Sequence, residues 1–525
     1  MRSWSRGDRR IGVVLAGAVL ASGCEQNQEA DTAPRLIVSV VVDQLRTDML
    51  DRYDDAFIGG LRRLRDEGYR FTDGVQDHAF TETAAGHATI GTGVVPARHG
   101  VIANQWVEEQ EDGELAGMYS VADVSATILG EPGAPGRSPR NLRRDGLADW
   151  VQDTDANAIV LSVSRKDRSA IGLAGRATGH VYWFSGSQMR FVTSDHYRSE
   201  YPTWVDDFNQ NVLRGLLNDG DWTGEASWAH AALSRPDTAT GESTSLGGSA
   251  FPHSLPDDAT EDELHAWFVR TPYSDVAVAR LAERGVRELG MGLDDVTDFL
   301  GVSFSATDGV GHSWGPLSRE QLDNLMSLDR SLGELMDVLD AQVGSGRWVL
   351  SLSSDHGVLD LPEHLQELGQ DAGRIPRPEV RALNRGAAEI MNGEGDEWER
   401  RERLEAYYES ADIVADVYWH SDYEQPVDSF TAIYANSYYP GRWRSGLSAL
   451  GFEVRLQPNY LSVGVGSSHG TAHYYDRHVP IVFMGAGVTP GMSNERTRTV
   501  DIAPTLAYLA GIRAPDDLDG RIVFE

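Results

Sequence analysis

Cysteine is nearly absent: the 525 residues contain one, Cys24, which excludes a disulfide framework. Positive charge is scarce as well, with 46 Lys and Arg against 80 Asp and Glu and a formal net charge of −34. Such a balance disfavours nucleic acid as a partner and keeps a protein soluble, but it carries no information about fold. The apolar run IGVVLAGAVLAS (11–22) is too short to span a bilayer.

The chain does have aspartate, repeatedly, at one kind of position. DQLRTD (43–48), TDGVGH (307–312) and SSDHG (353–357) each follow an apolar, β-branched run: LIVSVVV (36–42), FLGVSFS (299–305) and WVLSLS (348–353). Runs of that kind read as strands buried on both faces, central and parallel in a sheet. In an open α/β sheet the ligand crevice lies beyond the carboxyl ends of the strands, so Asp43, Asp308 and Asp355 are expected to converge there. His312 lies four residues past Asp308 on a turn or new helix, His356 adjoins Asp355, and SHG (468–470) adds His469. Mixed imidazole and carboxylate ligation suits Zn²⁺ better than Mg²⁺ or Ca²⁺, which prefer oxygen shells. A lone aspartate after a strand also serves as a helix cap. Three of them, with histidines attached, read as a ligand set for two ions.

Other motifs carry a family resemblance. TAAGHATIGTG (83–93) places His87 four residues after Thr83, HGVIAN (99–104) ends on Asn104, and VSRKDRSA (163–170) supplies Lys166 and Arg168 directly after the strand-like AIVLSVS (158–164). DIAPTLAYLAGI (501–512) reads as a terminal helix of structural value. With the aspartate blocks, this pattern resembles the alkaline phosphatase superfamily, most closely its phosphate-irrepressible, threonine-nucleophile bacterial alkaline phosphatases, relatives of the nucleotide pyrophosphatases/phosphodiesterases. The resemblance runs in blocks from about 36 to 525 and leaves two long inserts unmatched. It implies an α/β fold: a three-layer sandwich with a central, mostly parallel sheet, helices on both faces and inserted cap segments. It also implies Thr83 as nucleophile, with Asn104, Lys166 and Arg168 contacting the phosphoryl group. One zinc ion would be held by Asp308, His312 and His469, the other by Asp43, Asp355, His356 and the Thr83 oxygen. His87 is expected to brace the turn, and His473 and His478 to have structural partners.

The residue types permit this chemistry on physical grounds. A threonine hydroxyl is a poor nucleophile at its free pKa, but a dication favours its alkoxide and a helix N-terminus adds positive potential. Two ions about 4 Å apart clamp the attacking and leaving oxygens of an in-line displacement. Arg168 can grip two non-bridging oxygens, Lys166 adds a point charge and Asn104 a neutral hydrogen bond. That cationic pair suits the dianion of a monoester better than the monoanion of a diester. The expected activity is therefore a metal-dependent alkaline phosphatase working through a phosphothreonine, with phosphodiesterase or nucleotide pyrophosphatase as the alternative. A sulfatase would need a C/S-x-P-x-R motif, which the sequence lacks. A non-catalytic phosphate-binding lipoprotein would be expected to carry a degenerate site.

Arg2, Arg6, Arg9 and Arg10 precede the apolar 11–22, and LASGC (20–24) resembles a bacterial lipoprotein box cleaved before Cys24. A plain signal-peptidase cut nearby is the alternative. Residues 1–23 then form a signal peptide and 24–35 a polar tether, for a periplasmic protein anchored to the outer membrane. Losing 1–23 removes four Arg and one Asp, so the net charge falls from −34 to −37. Small phosphate esters are the expected partners, membrane only through lipid at Cys24, and the protein is expected to be a monomer. Core strands spread from 36 to 485, with HVPIVFMG (478–485) among them, argue for one catalytic domain over 36–525. Its inserts fall at about 185–270, a cap, and 361–460. The second holds a charged helical stretch, GDEWERRERLEAYYESA (395–411), and a strand-like aromatic one, FTAIYANSYY (430–439).

Overall fold

With apolar, mostly β-branched side chains at all but one position, β1 (Leu36–Val42) is a strand buried along its whole length. In the structure, a computed structural model describing residues 33–524 except 218–219, 226–227, 245–247 and 257, it stands near the middle of a nine-stranded sheet. The expected signal peptide and Cys24 lie outside the described residues. The other strands are β2 (Tyr69–Val75), β3 (Val160–Ser164), β4 (His180–Ser185), β5 (Arg190–Val192), β6 (Asp298–Phe304), β7 (Trp348–Ser353), β8 (Ile481–Gly485) and β9 (Gly491–Arg498). Their spatial order is β9-β2-β8-β7-β1-β6-β3-β4-β5. β1 pairs in parallel with β6 and β7, as do β6 with β3, β3 with β4 and β2 with β9. β8 and β5 run against their neighbours.

Alternation along β1 divides the core in two. Ile37 and Val41 face a cluster containing Ile90 of α1 (Thr83–Thr92), Leu173 of α2 (Asp167–Ala174), and Ile502 and Leu506 of the terminal helix Ile502–Leu509. Val38, Val40 and Val42 face Val278 and Leu281 of α3 (Tyr273–Leu289), Val310 of α4 (Ala306–Trp314) and Leu322 of α5 (Arg319–Leu339). This is the expected three-layer sandwich. Register decides the site: Val42 pairs with Phe304, Val41 with Ser353 and Ser303 with Ser164. The carboxyl ends of β1, β6, β7 and β3 are therefore level, and the residues next in the chain emerge along one edge.

The helices on the α1 side approach to backbone distance. A Cβ added at Gly91 would lie 2.6 Å from the Gly172 carbonyl oxygen, and one at Gly172 would lie 2.9 Å from His87 Cβ. At Gly86 it would lie 2.7 Å from Asp355 Cα. The small residues of TAAGHATIGTG are thus what lets α1 seat against both α2 and the chain after β7. Gly86→Ala is expected to cost about 1–3 kcal/mol, the usual range for overpacking, measured by denaturant unfolding.

The segment expected as a cap shares in this core. The sheet continues into it through β5, and Trp204, Trp222, Trp267 and Phe268 join the Val38 side. In the second insert, Glu397–Glu409 is a helix as expected, opened by a reciprocal Asp396–Glu399 capping box. Leu404 and Tyr408 pack with Trp419 and Phe452 in a separate small core. The expected strand at 430–439 is corrected: Ser429–Ala435 is a helix. Asp428 Oδ1 caps it by accepting from Thr431 N at 2.7 Å. Phe430, Ile433 and Tyr434 follow the three-and-four spacing of a helix face, which outweighs their β propensity.

Candidate active site

Strand ends deliver the carboxylates. Asp43 follows β1 directly and is fully buried. Next to it Gln44 takes a left-handed conformation, φ 68°. From that turn its backbone N donates to Asp355 Oδ1 (3.2 Å) and its Nε2 to Asp308 Oδ1 (2.9 Å), so one residue ties three strand ends together. Asp308 stands in the first turn of α4, whose start is capped by Asp275: its Oδ1 accepts from Ser305 N (2.7 Å) and Ala306 N (3.0 Å).

The imidazoles arrive around these carboxylates. His312 Nε2 is 3.0 Å and His469 Nε2 3.5 Å from Asp308 Oδ1. His356 Nε2 is 3.4 Å from Asp43 Oδ1 and 3.5 Å from Asp355 Oδ2. Among the described residues two trios have ligand atoms mutually within 4.8 Å, namely Asp308, His312 and His469, and Asp43, Asp308 and His356. Asp308 is common to both, and Asp355 stands beside the second.

Each of the three histidines hands its other nitrogen to a main-chain carbonyl: His312 Nδ1 to Ser467 O (2.9 Å), His356 Nδ1 to Gly357 O (3.0 Å) and His469 Nδ1 to Thr81 O (2.7 Å). A carbonyl only accepts, so Nδ1 carries the proton. Burial holds His356 and His469 below the ordinary imidazole value, which leaves their Nε2 atoms as lone pairs aimed at carboxylates. In His312 burial acts the same way, but the facing Asp308 outweighs it and raises the group. Burial, with Asp308 and Asp355 beside it, pushes Asp43 up to about 7. His356 Nε2, Asp43 Oδ1 and Asp355 Oδ2 are buried without a hydrogen-bond partner among the described residues. Acceptors converging on acceptors are the donor set a divalent transition cation satisfies, so these residues fit such an ion.

Thr83 is the first residue of α1 and is buried. Its Oγ1 lies 3.3 Å from Lys166 Nζ, which in turn lies 2.5 Å from Asp43 Oδ2 and 2.7 Å from Asp308 Oδ2. Asn104 Oδ1 accepts from Ala84 N (2.9 Å) and Asn104 N donates to Glu82 Oε2 (2.9 Å), pinning the start of α1. Arg168 Nη1 is 3.4 Å from the Tyr119 hydroxyl, which donates to Asp167 Oδ1 at 2.5 Å. His87 bridges Thr83 O and Ser303 Oγ, both at 2.8 Å, while His473 and His478 are taken by the carbonyls of Leu456 and Thr72.

All ten expected site residues thus lie around one edge of the sheet. Sequence reasoning passes over Gln44, Asp275 and Tyr119. Only Gln44 leaves a signal, its place beside Asp43. Tyr119→Phe is expected to lower kcat/KM by about 3–10-fold, because it removes one contact that positions Arg168 while leaving the guanidinium in place.

Residues 37–477 match the sequence profile of the type I phosphodiesterase / nucleotide pyrophosphatase family. The chain belongs to that family, within the alkaline phosphatase superfamily, and is a phosphatase of that superfamily. It is 30% identical to the alkaline phosphatase PafA of Elizabethkingia meningoseptica, covering 97% of this chain and 98% of the relative. To the alkaline phosphatase PhoV of Synechococcus elongatus it is 30% identical over 93% and 92%. Crystal structures of PafA, wild type and a variant substituted at a threonine, an asparagine, a lysine and an arginine, superpose with TM-scores of 0.84 and 0.85 at 27% identity, covering 94% of this chain.

Proposed function

We propose that the protein is a phosphomonoesterase using Thr83 as nucleophile. The observation that carries this is the contact of the buried Thr83 hydroxyl with Lys166 Nζ at 3.3 Å, the same ammonium that meets Asp43 and Asp308 of the trio they form with His356. A further support lies in the PafA variant: the four residue types substituted there are spaced along that chain as Thr83, Asn104, Lys166 and Arg168 are along this one.

Two zinc ions are proposed, at Asp308, His312 and His469 and at Asp43, Asp355, His356 and the Thr83 oxygen; when bound, they supply charge stabilisation for the attacking and leaving oxygens. The rest belongs to the chain. Thr83 attacks phosphorus in line, its hydroxyl sitting at the positive end of α1. The P–O bond to the alcohol breaks as the phosphothreonine forms, and water then displaces Thr83. Arg168, Lys166 and the side-chain amide of Asn104 hold the non-bridging oxygens, where negative charge is greatest in a dianion. Arg168→Ala is expected to lower kcat/KM for an aryl phosphate by about 10²–10³-fold and far less for the matching diester. Equal losses, or a wild-type preference for the diester, would favour the phosphodiesterase reading.

Residues 1–23 are proposed as a signal peptide and Cys24 as a lipid-anchored first residue of an outer-membrane protein facing the periplasm, on the strength of LASGC (20–24). Globomycin-sensitive processing and incorporation of labelled palmitate, both lost in Cys24→Ala, test this.

A further inference from the structure

A cavity of about 350 Å³ opens beside Lys166 and Arg168, with Ile128, Arg137, Arg165, Trp183 and His265 also in its walls. Its cations are unequally matched. Lys166 stands against Asp43 and Asp308, and Asp167 is shared by Arg137 (2.7 Å) and Arg168 (3.9 Å). Glu131, the other acid of the wall, accepts from Ser187 Oγ at 2.5 Å. Arg165 has no carboxylate within ion-pair distance among the described residues. Its one side-chain hydrogen bond there is from Nη2 to the Ser305 carbonyl at 3.1 Å, and its buried Nε has no partner among the described residues. Burial pulls this guanidinium below its ordinary value, with Asp308, Asp43 and Asp275 opposing at longer range.

A half-buried guanidinium left without a counter-ion is costly, and in a chain of net charge −34 a carboxylate partner was abundantly available. Its planar donors suit a phosphate or carboxylate approaching edge-on. The backbone also fixes its place: Arg165 O accepts from Phe184 N at 3.2 Å, so the residue is anchored to β4 one step before Lys166. An anion on Arg165 would sit in the same cavity as the phosphoryl contacts, with Trp183 and Ile128 covering whatever carbon skeleton joins the two.

We propose that Arg165 is a specificity residue that binds a second anionic group of the substrate, so that the preferred esters are phosphomonoesters whose alcohol portion carries a further phosphate or carboxylate. This rests on the phosphomonoesterase reading above. A purely structural role, bracing Ser305 at the start of α4, would instead alter every substrate alike.

The test compares three esters on one skeleton: 3-hydroxypropyl phosphate, propane-1,3-diol bisphosphate and 3-(phosphonooxy)propanoate. Arg165→Ala is expected to lower kcat/KM by about 10–100-fold for at least one of the two esters with a second anionic group, the effect of losing one charge-assisted contact, and to change 3-hydroxypropyl phosphate, whose alcohol portion is uncharged, by less than about 3-fold. Arg165→Lys should recover part of the loss. Whichever bis-anion suffers more identifies the second group as phosphate or carboxylate. Equal losses on all three esters, or no loss on either bis-anion, overturn the proposal. Arg165→Gln, which keeps a stem and donor near Ser305, replaces the alanine variant if that one fails to fold. If no monoester is hydrolysed, the reading above has failed. Arg165 is then judged by inhibition of bis(4-nitrophenyl) phosphate hydrolysis by the bisphosphate: a Ki raised about 10-fold in the variant supports the subsite, and an unchanged Ki overturns it.

Discussion

Thr83→Ala is expected to reduce turnover of a phosphomonoester by about 10⁴–10⁶-fold, the range for removing a nucleophile from an otherwise intact site. The loss should be this large because no other hydroxyl among the expected site residues can take its place: Thr83 opens α1, is buried, and has its Oγ1 3.3 Å from Lys166 Nζ. The substitution removes an oxygen and a methyl from a helix start that Asn104 and Glu82 still pin, so fold and metal content should change little. Thr83→Ser should retain partial activity because the oxygen is kept. Two in-line displacements each invert at phosphorus, so a chiral thiophosphate or isotopically chiral phosphate ester should react with net retention. Net inversion would leave Thr83 as a ligand and give the attack directly to water.

The second large effect concerns the metal. Chelation is expected to abolish activity by at least about 10³-fold, and zinc to restore it at two equivalents. The far-ultraviolet spectrum should survive, because the sheet's two core faces, built on Ile37 and Val41 and on Val38, Val40 and Val42, contain no ligand. His469→Ala should lose one equivalent, from the proposed site with Asp308 and His312, and leave the proposed site at Asp43, Asp355 and His356 in place. Full activity with less than two equivalents of transition metal would contradict the proposed pair of sites.

How much of this is legible in the sequence varies with the range of the interaction. The buried strands and the aspartates behind them can be read locally, since a doubly buried strand must be apolar at nearly every position and a carboxylate after it has few uses. Strand direction cannot: HVPIVFMG (478–485) is a core strand, but nothing in its composition shows that β8 runs antiparallel beside β7. Gln44, Asp275 and Tyr119 act through partners hundreds or tens of residues away, and such partnerships exist only once register has been set. The helix Ser429–Ala435 escapes a reading by composition because its aromatic residues favour strand, whereas their spacing and the Asp428 cap favour helix.

The glycine crossing of α1 and α2 has a consequence for how this enzyme can change. Thr83 rides on one helix and Arg168 on the other, and main-chain and Cβ atoms decide how far apart those helices stand at Gly91 and Gly172. The spacing of the two helix backbones that carry Thr83 and Arg168 is therefore a dimension of the main chain, like the bore of a machined part. Substitutions elsewhere in the core shift rotamers and absorb volume, but they have no adjustable spacer through which to widen or narrow it. Divergence in rate or substrate choice is thus channelled to residues that line the cavity, while the two helices carry the same gauge from one variant to the next.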